Sequence, residues 1–298
     1  MNPFTHVVNW PWYYVALYFY ISGVSAGAYF IGSLAELYGG ERQREIRRVA
    51  FSLALPLIVT APVLLIADLG RPERFWYLML YAKDGIPYIN LQSPVSLGAW
   101  GLIVYGGFAL LSFLNAVAEN GHPALAPFTR FYNCLPRKVY AALGMLAGLF
   151  VVGYPGVLLN LTAWPLWEAT SPLLGSLFIA SGASTGAAAI VLVVAWQKRA
   201  AGDAYAHLEK LDRVSMIIEL LIIGAVIVVA GQYAAPIMSG FYGIMFWGGT
   251  VFLGILLPLG LYWYAGRPGT DRNRLVMLTA VFVLFGGALL RISLMQAG

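Results

Sequence analysis

Charge is what this sequence has least of. Only 10% of its 298 residues are Asp, Glu, Lys or Arg, against about 25% in soluble domains. A surface so poor in charge faces something other than water. Cysteine is nearly absent too. The single Cys134 excludes an internal disulfide, and because an iron–sulfur cluster takes about four cysteine ligands, this chain holds none alone. Histidine is scarce, and His6, His122 and His207 all fall outside the long apolar runs. A membrane haem takes His or Met as axial ligands, so bis-His haem is excluded and Met-only ligation is disfavoured. Any metal centre used in redox chemistry belongs to another chain. No cleavable signal peptide is read, because the first apolar segment is too long and no basic region precedes it. No nucleic-acid signature is present, despite a net charge of +5.

What is present is apolar length. Hydrophobic residues make up 60% of the chain, and mean hydropathy is +0.76. A membrane-crossing helix needs about 20 mostly apolar residues. Eight segments qualify: 12–38, 48–68, 94–117, 139–161, 172–197, 213–231, 241–264 and 274–295. They are continuous runs rather than alternating strands of about ten residues, which disfavours a barrel. The expected fold is an all-α membrane protein with eight transmembrane helices in the lipid bilayer. Loops rich in Lys and Arg stay on the cytoplasmic side. Fourteen of the 18 basic residues sit in the stretches around 42–48, 130–138, 198–213 and 267–274, which share one side. Both termini are therefore expected on the outer, periplasmic face of a cell inner membrane. Trp10, Trp12, Trp76, Trp164 and Trp167 at outer ends, with Trp196 and Trp263 at inner ends, fit interfacial belts.

The chain repeats itself. Ser22-Gly23-Val24-Ser25-Ala26-Gly27-Ala28 in the first span matches Ser181-Gly182-Ala183-Ser184-Thr185-Gly186-Ala187 in the fifth at five of seven positions. Both spans run from outside to inside, so the match fits a parallel duplication of four helices. Two four-helix bundles are expected, residues 1–170 and 171–298. The Gly-xxx-Gly spacing in each copy lets helix backbones approach closely; the motif serves packing, a ligand crevice, or both.

Ionisable groups inside a membrane are costly and are functional candidates. Asp68 ends the second span, with Arg71 and Arg74 following as possible counter-ions. Tyr154 lies in Gly153-Tyr154-Pro155-Gly156, where the proline frees a backbone carbonyl and a phenol can donate to a ligand carbonyl. Asn160 is further out on the same helix. Tyr18 sits among the aromatic residues of the first span, and Arg291 near the outer end of the eighth, where snorkelling to the headgroups is one reading. Glu36 and Glu219 fall on the inner half; water or Lys210 and Arg213 are their ordinary partners, and proton relay is the other reading. The outer cluster suits an amphipathic ligand entering from lipid. A quinone, with an apolar ring and two carbonyls, is the natural choice.

Several of these motifs, in order, resemble the NrfD/PsrC-like membrane subunits of respiratory complexes, such as polysulfide reductase. They are the Gly23–Gly27 stretch, Asp68-Leu69-Gly70-Arg71-Pro72 with Phe75-Trp76, Ser93-Pro94-Val95-Ser96-Leu97-Gly98-Ala99-Trp100, Tyr154-Pro155-Gly156-Val157-Leu158-Leu159, Pro165-Leu166-Trp167 and Ser181–Ala188. The resemblance implies two four-helix bundles and a quinone site in the first, near the outer face. It implies an iron–sulfur partner with several [4Fe-4S] clusters, and a molybdopterin catalytic subunit beyond it. Tyr154 matches the family's quinone-contacting tyrosine, and Asp68 with Arg71 its motif at the end of span two. Some members carry a His near the quinone on the first helix, where this chain has Tyr18.

The expected function is a haem-free membrane anchor. It binds menaquinone or ubiquinone through Tyr18, Asp68, Arg71, Tyr154 and Asn160, and exchanges electrons with a peripheral iron–sulfur subunit. Asp68, Tyr154 or ordered water exchanges the quinol protons, and Glu36 and Glu219 form part of an inward proton path. Outer loop 69–93, with Trp76, Tyr77, Tyr81 and Tyr88, docks the partner. Two rivals stand beside it: a secondary transporter built from parallel repeats, and a purely structural anchor.

Overall fold

The computed structural model describes residues 12–83, 86–90, 92–119, 136–162, 164–197, 203–265, 267 and 271–297. Trp10, His6, His122, Cys134, Arg130, Lys198 and Arg199 lie outside the described residues. The described chain is helical, with one small hairpin of β1 (Tyr81–Lys83) and antiparallel β2 (Ile86–Tyr88).

Among the described residues, eight helices are long and apolar enough to cross a membrane: α1 (Tyr13–Gly39), α2 (Arg44–Asp68), α3 (Pro94–Ala118), α4 (Arg137–Asn160), α5 (Leu173–Trp196), α6 (Ala206–Met238), α7 (Gly240–Ala265) and α8 (Arg272–Ala297). This agrees with the eight expected spans to within a few residues, with one exception. The sixth starts at 206 rather than 213 and so carries Glu209, Lys210 and Asp212 inside it. Their charge hides the helix start from a hydropathy reading; Lys210 stays exposed, and partners in neighbouring helices make the burial of Glu209 and Asp212 possible. Large apolar side chains such as Leu221, Val228, Phe241 and Ile244 cover the exterior, as lipid requires.

Sequence-local features set the helix ends. Ser93 caps α3, accepting from the Ser96 amide, and Pro94 takes the first helical position, where a missing N–H costs nothing. Gly70, at φ +64°, turns the chain after α2 into a 3₁₀ segment, Pro72–Leu78. Part of α7, Met245–Leu256, is wound as π-helix, a form that is rare and often local to function.

The two repeat copies are the centre of the molecule. Helices α1 and α5 are the most buried, at 78% and 72% of their apolar windows, and they cross each other at the repeated motif. A Cβ on Gly27 would meet the Gly182 carbonyl, and one on Gly186 would meet the backbone of Gly27 and Ala28. The small residues let the helices touch backbone to backbone. Around α1, the Ser25 hydroxyl donates to the Ala54 carbonyl (2.7 Å) and meets the Tyr105 hydroxyl (2.9 Å). Tyr29 meets Ser112 at 3.0 Å, and Tyr140 donates to the Phe108 carbonyl at 2.8 Å. These bonds tie α1 to α2 and α3, and α3 to α4. The short helix Pro165–Ala169 is pinned when Trp167 Nε1 donates to the Leu294 carbonyl of α8 (2.9 Å).

Candidate functional site

The end of the molecule at which α1 starts is called upper here, and the opposite end lower. Tyr154 projects from the upper half of α4. Its hydroxyl donates to the Pro94 carbonyl in the first turn of α3 at 2.5 Å. Gly98, one turn further along α3, makes this possible: a Cβ there would run into the Tyr154 ring. Pro155 lacks an N–H, which leaves the Val151 carbonyl without its helical donor in the same turn.

The phenol proton of Tyr154 is thus already committed to Pro94. Its oxygen remains open as an acceptor. In this rotamer Tyr154 receives a hydroxyl; turned away from Pro94, it donates to a carbonyl. The sequence pointed only to the second. Tyr154 lines a cleft of about 440 Å³ between α3, α4 and α5, walled by Leu97, Phe150, Val157, Leu161 and Ile179.

The other expected site residues fall in different places. Tyr18 is buried, 4% exposed, and close enough to Tyr154 to interact electrostatically. Asp68 is half-buried at the end of α2 and interacts electrostatically with Tyr13 of α1. Asn160 is half-buried six residues above Tyr154, with an Oδ1 that has no hydrogen-bond partner among the described residues. Arg71 is exposed just beyond α2. Only Tyr154 lines the cleft itself; Tyr18 stands behind it, and Asp68, Asn160 and Arg71 are on neighbouring surfaces of the upper end. Gly98, Pro94 and Phe150 were missed as site formers, although Gly98 stands inside one of the motifs that carry the family resemblance.

The two lower-half acids are not together. Glu36 is bound by Arg47 at 2.9 Å, and Arg47 with Arg44 also holds Glu119 (3.4 and 3.2 Å). This ion cluster closes the lower end of α1, α2 and α3. Glu219 reaches the Ser181 hydroxyl and faces Arg291, whose guanidinium lies against Gly23. Gly23 and Glu36 are 13 residues apart on α1, or about 20 Å. Glu219 therefore belongs to the middle and upper part of the bundle, not beside Glu36. Nor does Arg291 snorkel: it is fully buried.

Two larger cavities are also found among the described residues. One, of about 580 Å³ between α2 and α3, is lined by apolar side chains with Gly106. The other, about 590 Å³, runs between α1, α4, α5 and α6, with His207 and Lys210 among its lining residues.

The fold and the upper-end cluster describe a multi-pass membrane subunit with an apolar cleft and a phenol at its mouth. The chain belongs to the family described as "Polysulphide reductase, NrfD", which it matches over residues 3–298. It is 28% identical to one of the chains of polysulfide reductase from Wolinella succinogenes, over 99% of this chain and 95% of that protein. A NrfD homolog of Haemophilus influenzae is also 28% identical, over 98% of this chain and 96% of its own length. A subunit of the selenate reductase of Mesobacillus selenatarsenatis is 25% identical over 40% of this chain and 24% of that protein. The family members are membrane subunits of respiratory reductase complexes, and eight apolar helices make this chain a multi-pass membrane protein.

Proposed function

We propose that this chain is the quinone-reactive anchor of a reductase complex, and that quinone or quinol binds in the cleft at Tyr154. The observation that carries this is the cleft itself: apolar walls for a ring and tail, with one well-held phenol where a carbonyl or hydroxyl would lie. Sites of this kind are mostly apolar with a few placed polar groups. Bound quinone would supply two-electron, two-proton redox chemistry, which no side chain of this chain offers. Tyr154 orients it; Tyr18 backs Tyr154; Asp68, Arg71 and Asn160 serve the entry and the quinol protons at the same end.

Two of the relatives are named as single components of larger enzymes, a polysulfide reductase and a selenate reductase. Those names support a place beside a catalytic subunit. In this reading an iron–sulfur subunit with several [4Fe-4S] clusters docks on the upper end and passes electrons to the quinone, with a molybdopterin subunit beyond it. The upper end is the periplasmic side of the inner membrane, as the distribution of Lys and Arg favours. Phe75, Trp76 and Tyr77 stand exposed there, with Trp76 and Tyr77 stacked at 3.9 Å, the aromatic type that interfaces favour. Residues 1–170 form one four-helix bundle and 171–298 the other. Helix packing of α1 on α2 and α4, and of α5 on α6 and α8, fits that division, while α5 packs on α1 and α4 across it.

The test is quinol-linked electron transfer by the complex. Tyr154→Phe and Asp68→Asn should each lower it, Tyr154→Phe by up to about tenfold, the worth of one hydrogen bond. Unchanged turnover in both would leave the chain a structural anchor.

A further inference from the structure

A groove that quinone binding at Tyr154 does not use runs where the two halves of the chain meet. It holds about 590 Å³, and its walls come from α1, α4, α5 and α6. Its deepest lining residues are small: Ala26 and Gly27 of α1, with Ala180 of α5. They belong to the helix crossing, where a Cβ on Gly27 would already meet the Gly182 carbonyl. Side chains this small leave a trough beside the crossing. Leu149, Val152, Ile179, Val214 and Ile218 line its sides. Val214 and Ile218 are exposed, so in a membrane the trough opens sideways to lipid.

One end of this apolar trough is basic. His207 and Lys210, both exposed, line it at the start of α6. Leu34 of α1 lines it too, two residues before Glu36 of the lower ion cluster, so the basic end is the lower one. The α6 residues that line the groove include 207, 211, 214, 218 and 222, spacing that keeps to one helix face. The acids of α6 turn to the other face. Glu209 is held by Arg272 at 3.1 Å. Asp212 is fully buried and accepts from Ser184 at 2.8 Å and from Tyr262 at 2.7 Å. Among the described residues, no acid lines the groove. Its lower end therefore presents positive charge beside hydrocarbon, a setting in which a cation is costly without a counter-charge.

We propose that this groove binds an anionic phospholipid of the lower leaflet, with its phosphate at Lys210 beside His207 and one acyl chain along α6 to Ile222. Basic pockets between membrane helices recognise lipid headgroups in this way, and a phosphate takes both the charge and the hydrogen bond of an ammonium. From Lys210 to Ile222 the helix rises about 18 Å, the reach of one acyl chain in a hydrocarbon core roughly 30 Å across. Spread over that length, the volume of the groove gives a mean cross-section of roughly 33 Å², under half the roughly 80 Å² of a helix about 10 Å wide. The groove is thus the gauge of an alkyl chain and too narrow for a partner's helix. A quinone tail has that gauge too, but its neutral ring gains nothing from the charge that Lys210 offers. The lipid touches α1 and α4 of one half and α5 and α6 of the other, so it fills the joint between them. The groove shares Leu149, Ser176 and Ile179 with the Tyr154 cleft, so the chain packs on the cleft's α4–α5 wall from the other side. The lipid site does not depend on what the cleft itself binds.

The test is lipid retention by the purified complex. The complex is washed in mild detergent, offered phosphatidylglycerol or phosphatidylcholine, washed again, and its bound lipid is measured by mass spectrometry. Wild type should retain phosphatidylglycerol at least fivefold over phosphatidylcholine. Lys210→Glu should lower the retained phosphatidylglycerol at least fivefold, and Lys210→Arg should keep at least half of it. Ile218→Trp fills the trough from an exposed position and should lower it as much with Lys210 still in place. Arg213→Glu removes an exposed basic residue that does not line the groove, and it should leave retention unchanged. Wild-type retention in either Lys210→Glu or Ile218→Trp overturns the proposal. So does an equal loss in Arg213→Glu, which would mean general attraction of anionic lipid, or equal retention of phosphatidylcholine. Release of quinone in place of phospholipid by Ile218→Trp would also overturn it. These readings need no quinone turnover, so they stand or fall apart from the quinol-linked assay that tests Tyr154.

Discussion

Tyr154 is placed before any ligand arrives. Its ring lies on the bare backbone of Gly98, and its proton is held by the Pro94 carbonyl. The space for the ring is therefore made by a glycine on another helix. Gly98→Val should push the ring from its seat and raise the KM for quinol several-fold with little loss of assembly, read from steady-state kinetics on the complex. Arg291 is the other residue whose removal should be felt beyond its contacts. It is the largest fully buried side chain, and it faces Glu219. Removing one partner of a buried ion pair costs about 3–5 kcal/mol because the other charge is stranded. Arg291→Met should lower the thermal midpoint of the detergent-solubilised protein markedly. Adding Glu219→Gln should recover much of that loss; two independent, additive losses would show that the pair does not act as a unit.

At the level of elements, the crossing of α1 and α5 decides whether the halves fit. Gly27 and Gly182 meet there through backbone atoms. Gly27→Leu forces the helices apart and should cost roughly 1–3 kcal/mol or more, seen as a lower melting temperature and poorer recovery of folded protein. This contact was legible in the sequence as two copies of one motif, but not as the contact of each copy with the other. The eight helices were legible because lipid demands long apolar runs and few charges. The start of α6 was not. Glu209, Lys210 and Asp212 read as a loop, since no local pattern announces that Ser184 of α5 and Tyr262 of α7 will receive a buried carboxylate. The seven-residue spacing of Asp212 and Glu219 was the available signal, and it needs the helix to begin earlier than hydropathy suggests. Tyr154 was legible from its Pro-Gly context; Gly98 stood in a motif whose use became clear only from the α3–α4 contact.

For the whole molecule, the two halves share a design and differ in content. The first supplies the phenol and two walls of the apolar cleft, which α5 of the second closes; the second buries Asp212, Glu219 and Arg291. Both converge on α1, where Tyr18 faces Tyr154 and the neighbouring Phe19 accepts from Arg291. The upper end also carries the exposed Phe75, Trp76 and Tyr77. Replacing Trp76 and Tyr77 with Ser should reduce the yield of co-purified iron–sulfur subunit by tenfold or more, since interface aromatics commonly contribute over 1 kcal/mol each, while leaving the anchor itself folded. Everything proposed for the upper end turns on quinone occupying the cleft at Tyr154. Photolabelling the complex with an azido-quinone and mapping the modified peptides reads that occupancy. Label is expected on α4 between residues 149 and 161 and on α3 near Leu97, lost when excess quinol competes. Label confined to the larger groove along α6, from Lys210 to Ile222, would contradict it.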